Sequence, residues 1–242
     1  MVTMLSTNPY RPSEVVGEYT ECAPGDLPDV LKRAELSRRE WSAQPAPHRA
    51  AALYAAADRL AAERSRITEL VVREVGKPVA EARGEVQRGI DILRYHAASI
   101  LMPEGDVLPG STPAGVQFTR RRPLGTVAIV TPWNFPVAIP LWKAVPALAW
   151  GNAVALKPSS AAVTVAKALV ELIASELPEG LFQCLPGGAT LVRRLVAAEQ
   201  VRGLSFTGSM PIWCRKARIS MSLSRSVIGS RRSMAKVLVR PR

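Results

Sequence analysis

The fold is decided by one stretch of the sequence, TVAIVTPWNFP, which runs from Thr126 to Pro136. Its first part is apolar and rich in β-branched residues, which is typical of a strand that is buried on both faces. The prolines and the asparagine that follow end the strand and place polar groups at its carboxyl end. We therefore predict a buried strand that opens onto a candidate site.

Downstream of this strand, apolar runs and helical stripes alternate along the chain. The predicted helices cover 138–150, 165–173 and 191–198, and the predicted strands cover 153–156, 181–185 and 204–207. This alternation indicates an α/β fold, a Rossmann-type parallel sheet with crossover helices. Ligands of such sheets bind at the carboxyl ends of the strands.

The upstream half has a different pattern. From Asp26 to about Met102, apolar residues recur at helical spacing, and prolines and glycines then punctuate residues 103–122, which favours a hairpin. We divide the chain into an N-terminal helical region with this hairpin (1–122), a region of alternating strands and helices (123–209) and a basic tail (210–242).

Composition excludes several classes of protein. The 242 residues are 48% hydrophobic, which suits a globular core, and no apolar run is long enough to span a membrane. The three cysteines have neither paired nor metal-type spacing, so we expect no disulfide framework and no metal site. The N-terminus lacks a signal-peptide core, and we expect a cytoplasmic protein.

Each predicted strand ends in polar or glycine-rich sequence, as a dinucleotide site requires. The strand ends read TPWN from Thr131, KPSS from Lys157, PGG from Pro186 and FTGS from Phe206. Neither a GxGxxG fingerprint nor a P-loop pattern is present. These residues alone indicate a nucleotide-binding sheet without naming a reaction.

The motifs together resemble the NAD(P)-dependent aldehyde dehydrogenase superfamily, in its N-terminal, cofactor-binding half. They occur in the family's order and are PLG from Pro123, TPWNFP from Thr131, WKAVPAL from Trp142, GN from Gly151 with LKPS from Leu156, and SFTGS from Ser205. The resemblance covers residues 8–209. It implies a truncated form of the family fold, in which residues 123–209 are a partial NAD(P)-binding, Rossmann-like region.

The resemblance also implies roles for single residues. Asn134 matches the asparagine that donates to the oxyanion formed on the aldehyde, although an isolated asparagine there would more often cap a turn. Thr131 and Trp133 match the strand end that lines the cofactor cleft, and Lys157 matches the lysine on the adenosine ribose. The residues that match positions at the pyrophosphate are Gly188 and Ser209.

The cofactor implied is NAD or NADP. Many members that prefer NAD carry a glutamate where this chain has Ser160, and that carboxylate repels the extra phosphate of NADP. We therefore expect Ser160 in the cofactor site and expect it to favour tolerance of NADP.

The sequence departs from the family after Ser209. It contains no Glu-Leu-Gly-Gly and no recognisable cysteine motif, and the context of Cys214 is unlike that of the family's nucleophile. The intact reaction would oxidise an aldehyde to a carboxylic acid, and we expect this chain to be inactive alone. The alternative is a residual nucleotide-binding module. In the family, the hairpin near residues 103–122 helps homo-oligomers form, which we do not expect of the truncated form.

The last 33 residues hold nine basic residues and no acidic one, and so account for most of the net charge of +12. We interpret this tail as the product of a changed reading frame after Ser209, or as disordered. Its helical spacing is weak, with Ile219, Leu223 and Val227 as the best candidates. A basic arm that binds RNA or DNA is the less favoured alternative.

Overall fold

The N-terminal half consists of a hairpin, four helices and a second, shorter hairpin. A computed structural model describes residues 3–110, 112 and 115–208 and the backbone of 227–228 and 235–239. Its elements here are β1 (Thr3–Asn8), β2 (Arg11–Thr20), α1 (Leu27–Ala43), α2 (Ala46–Ala62), α3 (Arg64–Val75), α4 (Val79–Ser99), β3 (Val107–Pro109) and β4 (Val116–Phe118). The predicted helices and the later hairpin are present, but the β1–β2 hairpin had no counterpart in the sequence analysis.

The second half alternates strands and helices as the sequence predicts. Its elements are β5 (Thr126–Val130), α5 (Ala138–Ala149), β6 (Ala153–Lys157), a short 3-10 helix (Ser160–Ala162), α6 (Val163–Ala174), β7 (Phe182–Cys184), α7 (Ala189–Ala197) and β8 (Val201–Thr207). Every residue of β5 is buried, as its composition indicates. The expected α/β fold is confirmed.

The strands of this half form a parallel sheet in the order β7-β6-β5-β8. After β5 the chain adds β6 and β7 on one side, and it then crosses to the other side to place β8 next to β5. This reversal is a topological switch point, where the crossover connections leave on opposite sides and open a crevice at the carboxyl ends. The topology therefore makes the end of β5 the candidate position for a ligand.

Two segments of the basic tail extend the sheet. Strand β10 (Ala235–Val239) pairs antiparallel with β8, and β9 (Val227–Ile228) pairs with β10. Val227, one of the residues with weak helical spacing, thus lies in a strand, while Ile219 and Leu223 lie outside the described residues. The free edge of β8 offers unpaired backbone groups, and an extended segment satisfies them.

Two apolar cores cover the two faces of the sheet. Ile129 and Leu156 face α5 and α6, which in turn pack against α2, α3 and α4. Ala128 and Val130 face the other way, towards α1 and α7. Within the part of the chain that the structure describes, no helix is both long enough and apolar enough to cross a membrane.

The Asn152 side chain holds the segment that directly precedes β5. Its side-chain oxygen accepts hydrogen bonds from the amides of Leu124 (2.7 Å) and Gly125 (3.1 Å), and its side-chain amide donates to the carbonyl of Ala147 (2.9 Å). The preceding Gly151 turns the chain with a φ of 81°, a conformation that favours glycine. One buried side chain thus joins the segment before β5 to the end of α5.

Replacing Asn152 with alanine should leave the backbone amides of Leu124 and Gly125 without their partner, while the Ala147 carbonyl keeps its bond from the backbone amide of residue 152. Each unsatisfied buried group costs about 1–3 kcal/mol, so we expect Asn152→Ala to lower the free energy of unfolding by about 2 kcal/mol or more. Urea denaturation of the full chain measures it, with the exposed Gln200→Ala as control. Equal midpoints for the two variants would contradict the role of Asn152.

Candidate cofactor and active site

The candidate site lies along the carboxyl edge of the parallel sheet. The amide of Thr131, just after β5, donates to the carbonyl of Lys157 at the end of β6 (3.2 Å). The amide of Leu185, just after β7, donates to the carbonyl of Leu156 (2.7 Å). These bonds align the ends of three neighbouring strands, so the loops that follow them begin side by side.

The loop after β5 presents Trp133 and Asn134 at the surface. Both side chains are exposed, and the Asn134 side-chain amide has no hydrogen bond to any residue in the described part of the chain. The backbone carbonyl of Asn134, in contrast, is held by the Lys77 ammonium group at 3.1 Å. The backbone is thus fixed while the side-chain donor is available to a ligand.

Thr131 and Lys157 carry unused hydrogen-bonding capacity inside the site. The Thr131 hydroxyl is buried and has no partner among the described residues. Burial lowers the pKa of the Lys157 amine, and the nearby Glu21 carboxylate opposes that shift. Because a buried hydroxyl without a partner is costly, the Thr131 hydroxyl fits a polar ligand such as the ribose of a dinucleotide, and the Lys157 amine can donate to the same ligand.

Ser160 and Gly188 complete the edge, and both are exposed. Ser160 is the first residue of the 3-10 helix, next to the end of β6. Nothing lies within 4 Å of the position that a Cβ of Gly188 would take, so a ligand can approach the backbone just before α7. No side chain caps the start of α7, which leaves its first amides available to a phosphate.

The structure therefore gathers six of the seven predicted site residues along one edge of the sheet. They are Asn134, Thr131, Trp133, Lys157, Ser160 and Gly188. The seventh, Ser209, lies outside the described residues.

An ion pair beneath the Asn134 loop was not recognised from the sequence. The Lys77 ammonium contacts the Glu85 carboxylate at 2.6 Å, and the side chains are only 12% and 2% exposed. The second oxygen of Glu85 accepts from the amides of Val137 (2.8 Å) and Ala138 (3.0 Å). One carboxylate thus joins α4 to the start of α5.

A second buried carboxylate, Glu74, lies near the Ser160 loop. It accepts hydrogen bonds from the amides of Thr164 and Val165 (both 2.7 Å) at the start of α6 and from the hydroxyl of Ser6 (2.6 Å). The one available signal for both glutamates was a charged residue in a helical stripe that otherwise faces the core, at Glu74 in α3 and at Glu85 in α4.

Lys143 is a further polar group that sequence reasoning missed. It reaches from α5 to β8, where its ammonium group donates to the hydroxyl of Ser205 at 2.8 Å. Burial lowers the pKa of the Lys143 amine from its ordinary value of 10.5 to about 8. Near neutral pH the amine therefore holds its proton less firmly than an exposed lysine does.

Neither described cysteine is suited to be a nucleophile. Burial raises the pKa of the Cys184 thiol to about 12, and it also raises the pKa of the Cys22 thiol. Both remain in the unreactive thiol form near neutral pH. Cys214 lies outside the described residues.

Comparison with known proteins identifies the family of this chain. The sequence matches the profile of the aldehyde dehydrogenase family over residues 2–227, which is most of the chain. The chain belongs to the aldehyde dehydrogenase family. The resemblance drawn from the motifs is thereby confirmed.

Similar aldehyde dehydrogenases are about twice as long as this chain. The α-ketoglutarate semialdehyde dehydrogenase of Haloferax volcanii is 38% identical over 211 residues, which cover 85% of this chain and 43% of that protein. The chain thus spans less than half the length of this relative.

Solved structures of the family show the same arrangement. An NAD-dependent benzaldehyde dehydrogenase from Corynebacterium glutamicum is 28% identical with a TM-score of 0.84, over 91% of this chain and 48% of that one. An NADP-dependent glyceraldehyde-3-phosphate dehydrogenase from Bacillus halodurans is 29% identical with a TM-score of 0.83, over 90% and 47%. The aldehyde dehydrogenase fold of this chain therefore corresponds to about half of each.

The lowered pKa of Lys143 predicts its reactivity with acylating reagents, because only the neutral amine reacts. With a pKa of about 8, labelling should be half-maximal near pH 8 and level off above about pH 9. An amine with the ordinary pKa of about 10.4 keeps gaining reactivity over that range. Pulsed acetylation at a series of pH values, followed by peptide mass spectrometry, compares Lys143 with the exposed Lys32. Parallel profiles for the two lysines would contradict the expectation.

Proposed function

We propose that this chain binds a nicotinamide dinucleotide, NAD or NADP, and carries the oxyanion donor of an aldehyde oxidation. The observation that carries the proposal is the set of unpartnered polar groups at the switch point: the Thr131 hydroxyl, the Asn134 amide and the desolvated Lys157 amine. Family relatives whose names include NAD or NADP support the choice of ligand.

Each residue of the candidate site would contact a different part of the dinucleotide. Lys157 and Ser160, after β6, would hold the adenosine ribose, and the backbone before α7 at Gly188 would accept the pyrophosphate. Thr131 and Trp133 would line the cleft towards the nicotinamide. The bound cofactor supplies the hydride acceptor, and the protein groups orient it and exclude water around it.

Asn134 would act on the aldehyde itself. When a nucleophile adds to an aldehyde, the carbonyl π bond breaks and its electron pair moves to the oxygen, which becomes negatively charged. A hydrogen-bond donor aimed at that charge lowers the activation free energy by about 3–4 kcal/mol. The exposed Asn134 amide, on a backbone that Lys77 fixes, is suited to donate this hydrogen bond.

We also propose that the chain does not turn over alone. The pKa values of its two described cysteines are raised, and its sequence lacks the Glu-Leu-Gly-Gly motif of the family. Adding an aldehyde and NAD or NADP to the purified chain should therefore produce no absorbance of reduced cofactor. Sustained turnover would contradict this part of the proposal.

The cofactor site is tested by titrating the full chain with NADH and with NADPH, followed by fluorescence. Removing the ribose-binding amine with Lys157→Ala should weaken binding about tenfold or more, since a hydrogen bond to a charged group contributes about 1.5–3 kcal/mol. Lys32→Ala, an exposed lysine on α1, is the control and should bind normally. If the unaltered chain binds neither cofactor, the proposal is wrong.

Ser160 tests the choice between the two cofactors. A carboxylate at this position accepts from the ribose hydroxyls of NADH but repels the 2′-phosphate of NADPH. Ser160→Glu should therefore weaken NADPH binding by about tenfold while NADH binding holds or improves. An equal effect on both cofactors would remove Ser160 from the ribose site.

A further inference from the structure

We propose that Glu74 and Glu85 are positioning residues, which order the two ends of the cofactor site independently of each other. Glu85, together with Lys77, would set the loop of residues 134–138, and Glu74 would set the loop of residues 160–165. The inference rests on the proposed function for what these loops bind. The inference goes beyond the proposed function because it states that residues of the N-terminal helices hold these two loops in place.

The Glu85 contacts leave the start of α5 little freedom. Its carboxylate satisfies the amides of Val137 and Ala138, which are among the amides of a helix start that have no partner within the helix. The negative charge also suits the positive end of the helix dipole. Because Asn134 lies three residues before Val137, this clamp limits where the Asn134 side chain can reach.

Lys77 holds the other side of the same loop. Its ammonium group donates to the Glu85 carboxylate and to the Asn134 carbonyl, and it lies 4.0 Å from the centre of the Phe135 ring. The buried charge of Glu85 is thereby neutralised. Removing either partner would leave the other charge buried and unpaired, which is strongly unfavourable.

Glu74 makes an equivalent clamp at the other loop. Its two oxygens accept from the amides of Thr164 and Val165, and only 4% of the residue is exposed. These amides directly follow the 3-10 helix that starts at Ser160. Residues 160–165 are thus fixed by a residue that lies near the end of α3.

The two glutamates lie on either side of one turn. Gly76 ends α3 with a φ of 78°, and a Cβ there would lie 2.8 Å from the Tyr10 ring, so glycine is required at the turn between the two glutamates. Yet the clamped loops follow different strands, β5 and β6. A change at one carboxylate should therefore disturb one end of the site.

The experiment compares two probes on the full chain. ADP reports the adenosine end alone, whereas NADH reports both ends, so the ratio of their dissociation constants isolates the nicotinamide end. Glutamine has one acceptor oxygen, so Glu85→Gln cannot serve both Lys77 and the two amides. We expect it to weaken NADH about tenfold and to leave ADP unchanged, while Glu74→Gln weakens both probes by the same factor.

Matched variants separate positioning from general damage. Glu69→Gln, an exposed glutamate on α3, should alter neither constant. Lys77→Met should reproduce the effect of Glu85→Gln, and the conservative Lys77→Arg should restore most of the NADH affinity. The inference is overturned if Glu85→Gln weakens ADP binding as much as NADH binding, as a purely structural role predicts, or if Glu74→Gln leaves ADP binding unchanged.

Amide hydrogen exchange gives a readout that does not depend on cofactor binding. Glu85→Gln should accelerate exchange in residues 134–138 and Glu74→Gln in residues 160–165, each without the other. If the unaltered chain binds neither probe, the proposed function fails, and exchange still decides the inference. Acceleration confined to the respective loop supports it, and acceleration spread over both loops in either variant overturns it.

Discussion

The parallel pairing of β5 with both β6 and β8 is the constraint on which the rest of the structure depends. Parallel neighbours require crossover connections, and α5, α6 and α7 provide them on the two faces of the sheet. Parallel strands also bring their carboxyl ends to one edge. The polar residues that follow each strand are therefore collected there, although they are far apart in sequence.

The N-terminal helices do more than cover the sheet. Helices α2, α3 and α4 enlarge the core beneath α5 and α6, and α3 and α4 each send one buried carboxylate to the start of a sheet helix. Burying a carboxylate is costly unless its oxygens find partners, and both glutamates accept hydrogen bonds from backbone amides, while Glu85 is also paired with Lys77. The helices thereby couple the packing of the first half of the chain to the loops of the candidate site.

Sequence patterns captured the sheet and most of the candidate site. The run from Thr126 to Val130 predicted a buried strand, and the motif around Asn134 carried a specific family resemblance that the comparisons confirmed. Apolar runs that form strands, and loops that contain glycine or proline, are encoded by neighbouring residues, so they can be predicted from the sequence alone. Whether the matched residues act as proposed is a question for experiment.

Other features could not be predicted because they depend on tertiary neighbours. The β1–β2 ribbon is largely exposed, so it lacks the apolar alternation that marks a half-buried strand. The amides that donate to Glu85 are 52 and 53 residues away in the sequence, and no pattern within α4 predicts them. The pKa of Lys143 likewise follows from burial against β8, which no local pattern encodes.

The most direct test of this account is to map where NAD binds on the full chain by following its backbone amides in NMR spectra. The account predicts that the shifts cluster at residues 131–134, 157–160 and 187–189, the loops after β5, β6 and β7. Shifts confined to another surface, or no shifts at millimolar NAD, would contradict the claim that this edge is a cofactor site.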